Sequence, residues 1–228
     1  MDVQGSPQPT PLTVVKLGGS YARSRHLAEA VGAISGAREA VAIVPGGGPF
    51  ADMVREMQAP MGYDDRTAHR MAILAMCQFA EGIAMLNPRL RIANNLISRR
   101  RIVKEGCHAV WSPCPLADGL EALPPGWDLT SDSLAAWLAG KLKASRLVLL
   151  KSPNPSQNVV AVRKLVTAGV VDPQFPTFLR EADACSRDAG AGLTAWWFGP
   201  EQLGQLPAFL DGGCQAGTRI ICQEGVDA

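Results

Sequence analysis

The sequence predicts an α/β protein, a three-layer αβα sandwich around a mostly parallel central sheet. Three observations predict it. Short continuous apolar runs, such as 13–15, 40–44 and 146–150, have the character of strands buried on both faces. Stretches with apolar residues at helical spacing alternate with these runs. Two of the runs end in glycine-rich loops, the usual ligand edge of an open parallel sheet.

The first strand, Thr13-Val14-Val15, leads into Lys16, Gly18, Gly19 and Ser20. Glycines after a strand let backbone N–H groups approach an anion without a Cβ in the way, and Lys16 adds a full positive charge. A following helix would point its N-terminus at the same place. The pattern suits a phosphate cradle or an ordinary strand-to-helix turn that needed glycine. Residues 24–35 then place Leu27, Val31 and Ile34 on one helical face. The second strand, 40–45, runs into Gly46, Gly47 and Gly48, and Pro49 opens a helix whose buried face is expected to hold Phe50, Val54 and Met57. Two such loops from adjacent strands could hold one polyphosphate from two sides.

A turn is expected over 59–64, then a long helix over about 65–86 with Ile73, Cys77, Ala80 and Ala84 inward. His69 suits a surface or core-edge position as well as a functional one. A helix over 92–105 carries Arg99-Arg100-Arg101, read as a solvated face. Residues 107–112 resemble a strand, followed by a loop punctuated by Pro113, Pro115, Pro124 and Pro125. Thr130, Ser131 and Asp132 offer N-cap chemistry to a helix with the stripe Leu134, Leu138 and Leu142. Asp132 on this reading is a cap or a first-turn acid. A buried strand over 146–150 ends in Lys151, on the same edge as the glycine loops, where phosphate contact is expected. A strand over 158–162, a connector with Arg163, Lys164 and Gly169, and a helix from about Pro173 capped by Asp172 follow. A strand over 193–199, a helix over 200–210 and a strand over 217–222 complete the chain.

At 228 residues the chain suits a single domain over 13–228 behind a flexible tail, 1–12, holding Pro7, Pro9 and Pro11. The net charge of +1 gives no electrostatic case for nucleic acid or membrane as a partner. No run of about 18 apolar residues predicts a spanning helix. Six cysteines without a Cys-x-x-Cys pair are read as reduced thiols of a cytoplasmic protein, with no protein-built metal site.

Lys-x-Gly-Gly-Ser on the first strand and Gly-Gly-Gly-Pro-x-Ala-Asp on the second resemble the amino-acid kinase superfamily. The resemblance implies its fold, ATP with Mg2+, a small-molecule phosphate acceptor and a homo-oligomer. It implies that Asp132 accepts from the catalytic lysines and fixes their direction. The family's Gly-Met-x-x-Lys is absent, so the second lysine falls to Lys151 first and Lys164 second. Lys16, Asp132 and Lys151 form the implied catalytic set. Gly18, Gly19, Ser20, Gly46, Gly47, Gly48, Ser152 and Lys164 form the implied phosphate set. Asp64, Arg66, His69, Arg70 and Ser131 form the implied acceptor set. Residues 64–76, 127–137 and Val171-Asp172 look like the small kinases of methanofuran biosynthesis, which phosphorylate (5-aminomethylfuran-3-yl)methyl phosphate to its diphosphate. A different acceptor, such as UMP or isopentenyl phosphate, and an ATP-binding storage or non-catalytic protein of the same fold are the alternatives.

Overall fold

A computed structural model describes residues 12–113, 119–190 and 192–222. Eight strands form one sheet in the order β3-β4-β2-β1-β5-β7-β8-β6. β1 (Thr13–Leu17) lies between β2 (Val41–Pro45) and β5 (Arg146–Leu150), parallel to both. β4 (His108–Trp111) and β3 (Leu90–Ala93) extend the parallel part on one side, and β7 (Thr194–Phe198) on the other. β8 (Thr218–Ile221) runs antiparallel to β7, and β6 (Val159–Ala161) follows β8. The sheet is therefore parallel across six strands and reversed in the last two.

Both faces of the central strands are buried, which is why those strands read as unbroken apolar runs. Side chains alternate between two cores. Val14, Ala42, Leu147 and Leu149 pack with α5 (Ser131–Leu142), α6 (Val162–Thr167) and α7 (Phe175–Arg187). Val15, Ile43, Val148 and Leu150 pack with α1 (Leu27–Ser35), α8 (Leu206–Leu210) and the second half of α3 (Asp65–Met85). By the same alternation, Lys16 and Lys151 fall on the α5 face, two positions beyond Val14 and Leu149.

Four local expectations change. α2 (Gly48–Met61) runs through the predicted 59–64 turn and tolerates Pro60 near its end, closing on Gly62 in the left-handed region. Its buried side is narrow, because only Val54 is fully buried and Phe50 is 42% exposed. The 92–105 stretch divides into β3, a half-exposed strand without a clean apolar run, and α4 (Leu96–Lys104). Arg163 and Lys164 sit in α6 rather than in a connector. Residues 1–11 and Pro115 lie outside the described residues.

Candidate active site

Three charged side chains meet where β1, β5 and α5 converge. Lys16 Nζ lies 2.8 Å from Asp132 Oδ1, and Lys151 Nζ donates to Asp132 Oδ2 at 2.6 Å. Lys16 and Asp132 are each only 3% exposed. β1 and β5 are adjacent and in register, Leu17 opposite Leu150, so residues 16 and 151 reach the same face a short step apart. α5 begins under that face and carries Asp132 in its first turn, where the helix dipole favours a negative charge.

The electrostatics follow from this crowding. Burial alone would push the Asp132 carboxyl up, but the Lys16 and Lys151 ammonium groups outweigh it and hold the carboxyl below its usual range. Lys151 is pulled down to about 8 by burial first and by the Lys16 charge second, with Asp132 partly offsetting both. A second cation beside a lysine that already has its counter-ion leaves net positive charge facing the carboxyl edge. That charge suits a polyanion.

The start of α5 is held by a second buried acid. Asp172 accepts from Thr130 N at 3.0 Å, Thr130 Oγ1 at 2.8 Å, Ser133 N at 3.0 Å and Ser133 Oγ at 2.5 Å. The same carboxylate accepts from Gln174 N at 3.1 Å and Phe175 N at 2.9 Å. One side chain thus satisfies amides at two helix starts, α5 and α7, and brackets Asp132 on both sides.

The glycine loops serve first to pack on each other. A Cβ on Gly19 would stand 2.4 Å from Gly48 N, and one on Gly46 would stand 2.3 Å from Gly19 N. The two loops can approach this closely only without side chains. Gly18 N donates to Leu150 O at 3.0 Å and Gly46 N to Leu17 O at 2.8 Å. Those two amides are committed to the fold, which corrects the expectation that all five glycines present N–H groups to a phosphate. Gly19, Gly47 and Gly48 line a cleft of about 270 Å3 together with Ser20 and Ser131. Ser20 and Ser152 hydroxyls are 2.6 Å apart, tying the first loop to the segment after β5.

His69 borders this cleft. Its Nδ1 lies 3.3 Å from Gly126 O, and its buried Nε2 has no partner among the described residues. Burial lowers its pKa, with the Gly126 carbonyl working against that. Arg66 and Arg70 line a smaller hollow that shares His69 and Ile73 with the cleft. Asp64 does not border the cleft. It is exposed and caps α3, accepting from Thr67 N at 2.7 Å, and that bond lowers its pKa. Lys164 is far from the lysine pair. β6 runs against β1 and β5, so α6 starts at the opposite edge of the sheet, and Lys164 leaves the phosphate set.

Three residues with no site role expected from the sequence also line the cleft: Asp52 and Trp127, which fall within the quoted motifs, and Arg55. Arg55 stacks its guanidinium 4.3 Å from the Trp127 ring centre, and Trp127 Nε1 donates to Gln58 Oε1 at 2.6 Å. Gly48, Asp52 and Arg55 recur at helical spacing, so the signal was a polar α2 face opposite Val54.

A model of the amino acid kinase family matches residues 11–154. The (5-(aminomethyl)furan-3-yl)methyl phosphate kinase of Methanocaldococcus jannaschii is 25% identical over 151 residues, covering 62% of this chain and 69% of that relative. Uridylate kinase of Archaeoglobus fulgidus superposes with a TM-score of 0.61 at 18% identity, over 93% of this chain and all of that one (100%). UMP kinase of Bacillus anthracis superposes with a TM-score of 0.63 at 17% identity, over 95% and 98% of the two chains. The two structural likenesses are likenesses of fold.

Proposed function

Because the chain belongs to the amino acid kinase family and is thereby an ATP-dependent phosphotransferase, we propose that it phosphorylates (5-aminomethylfuran-3-yl)methyl phosphate to its diphosphate, a step of methanofuran-type cofactor synthesis. The observation that carries the reading is the Lys16–Asp132–Lys151 triplet beside a cleft sized for a small acceptor. The furan acceptor is carried over from the Methanocaldococcus relative. The cleft supports it with a carboxylate, Asp52, for an ammonium end, and a cation, Arg55, with an aromatic wall, Trp127. Asp52 replaces Asp64 as the partner of the aminomethyl group in this reading.

An oxygen of the acceptor phosphate attacks the γ-phosphorus of ATP. A new P–O bond forms, the bond from the γ-phosphorus to the β-phosphate oxygen breaks, and ADP leaves with the charge. Positioning and charge neutralisation are what such a transfer needs from the protein. Lys16 and Lys151 take the negative charge that builds on the transferred group. Asp132 is a positioning residue that holds both ammonium groups in line. Gly19, Gly47 and Gly48 amides and the Ser20 and Ser152 hydroxyls donate to phosphate oxygens. Both Asp132 oxygens are taken by lysines, and no group of three acidic, His or Cys residues stands together among the described residues. Magnesium would be held largely by the nucleotide phosphates and water and would supply charge neutralisation there.

The deciding experiment is ADP release from ATP and magnesium, with and without the aminomethylfuran phosphate. Release that depends on this acceptor is expected. Acceptor-independent or absent release would support a storage or non-catalytic protein, and release with UMP or isopentenyl phosphate alone would reassign the acceptor.

A pH dependence follows from Lys151. In the free enzyme it is protonated below about 8 and neutral above. The ammonium form is the one that stabilises phosphate, so kcat/KM should fall as pH rises through about 8. Lys151→Arg keeps its charge and should move that limb up by about two pH units or more. An unmoved limb would remove Lys151 from the mechanism.

We also infer that the enzyme is a homo-oligomer. A hollow between α2 and α3 is lined by Phe50, Met53, Met71 and Leu74, and Met53 and Leu74 are 56% and 49% exposed. Contiguous apolar surface of this kind marks an interaction face. Light scattering should give a mass above one 24.2 kDa chain, and Met53→Glu with Leu74→Glu should return it to that mass. A monomeric wild type would overturn the inference. A cytoplasmic setting, with ATP and reduced thiols together, fits the same reading.

A further inference from the structure

The reversed strands β8 and β6 create a second groove at the edge of the sheet away from Lys16 and Lys151. It measures about 620 Å3, and its lining includes Arg163 of α6, Arg180 and Arg187 of α7, and Arg219 of β8. Among the described residues, Asp183 is the one acidic side chain in the lining. That acid is already satisfied. Its Oδ2 accepts from Arg187 Nε at 3.0 Å, and its Oδ1 accepts from Leu193 N at 2.9 Å. Arg163 and Arg219 make no side-chain hydrogen bond or ion pair among the described residues. Among the described residues, the Arg180 side chain donates only to Pro176 O, at 3.3 Å.

Among the described residues, four guanidinium groups against one engaged carboxylate is a local excess in a chain whose net charge is +1. The excess does not come from one solvated helix face. It is assembled from three elements that only the fold brings together, and like charges gathered this way repel unless an anion joins them. The floor is apolar, with Leu179, Ala195 and Ile220 nearly fully buried. Arginine forks match phosphate oxygens in bidentate fashion. We propose that this groove is a second anion site, distinct from the catalytic edge, which takes a small molecule bearing a phosphate or diphosphate on a less polar body.

The groove is mechanically joined to the catalytic centre. α7 contributes Leu179, Arg180, Asp183 and Arg187 to it, and the first turn of α7 is fastened through Asp172 to Thr130 and Ser133 on either side of Asp132. An occupant that draws on α7 therefore acts on the helix that holds the catalytic carboxylate.

Inorganic pyrophosphate is the probe. Calorimetric titration of the full chain, without magnesium, is expected to give two classes of site. Arg163→Gln with Arg219→Gln should weaken one class by about tenfold or more. Both arginines are exposed, so this variant keeps its fold, which circular dichroism checks. Lys16→Ala should weaken only the other class. The proposal is overturned if the double arginine variant binds as the wild type does, if Lys16→Ala abolishes all binding, or if millimolar pyrophosphate fails to bind. It is also overturned if a poly-glutamate peptide occupies the groove and pyrophosphate does not, since the partner would then be an acidic protein segment.

Discussion

Lys16→Ala is expected to lower kcat by about 10²–10³ while leaving the protein folded. The ammonium at position 16 is one of two positive charges aimed at the carboxyl edge, and it is 3% exposed. Charge in so dry a place is worth far more to a developing polyanion than the same charge in water. Removing it takes a stabilising donor from the transferred phosphoryl group, equivalent to about 3–4 kcal/mol of barrier. The fold should survive because Asp132 keeps Lys151 at 2.6 Å, so no buried carboxylate is left without a partner. The measurement is single-turnover chemistry at saturating ATP together with a melting curve. Near-normal turnover would take Lys16 out of the mechanism, whereas a collapsed melting curve would make it a structural residue.

Asp172→Ala should be among the most destabilising single substitutions in the chain. The Thr130 and Ser133 amides and hydroxyls lose their acceptor at once, the Gln174 and Phe175 amides keep only a backbone carbonyl each, and all belong to the starts of two packed helices. Loss of one cap costs about 0.5–2 kcal/mol, and buried donors left unmet cost about 1–3 kcal/mol each where water does not reach them. Partial relaxation brings the expected total to about 3–5 kcal/mol, or a melting temperature lower by about 10 °C. Asp172→Asn keeps one acceptor oxygen and should lose about half as much. The activity readout separates positioning from bare stability. Well below its melting temperature, Asp172→Ala should show reduced kcat and an altered alkaline limb, because Asp132 no longer sets Lys151. A melting temperature within about 2 °C of the wild type would sink the two-helix role.

The edge where Lys16, Asp132 and Lys151 meet was legible because its signals are local. Val14 and Lys16 share a strand face by alternation, as Leu149 and Lys151 do, and apolar runs ending in charge mark where strands leave the core. The lining of the neighbouring cleft was less legible. Asp64 looked like a ligand because an acid, a histidine and two arginines lie within seven positions, yet an acid three residues before a helical amide is also a cap, and capping is what it does. Asp52, which closes the Gly-Gly-Gly-Pro-x-Ala-Asp motif, and Arg55 carried no expected site role because the apolar residues of α2 mark the other face. β3 was missed because its alternation is broken, with only its two ends buried.

Lys164 and the arginine groove show where sequence stops. Which way a strand runs relative to a distant neighbour is not encoded in its own residues, since β6 reads the same in either direction. Pairing with β8 decided it, and that sent Lys164 to the far edge and gathered arginines from α6, α7 and β8 there. The sequence by itself determined the strand-loop-helix units, the glycines and the face on which each lysine lies, because periodicity and backbone freedom are properties of neighbours along the chain. Only the tertiary structure decided that Asp132 receives both lysines, that Asp172 ties α5 to α7, and that the Gly18 and Gly46 amides are committed to the fold, because each of these depends on groups far apart in sequence competing for the same few hydrogen bonds.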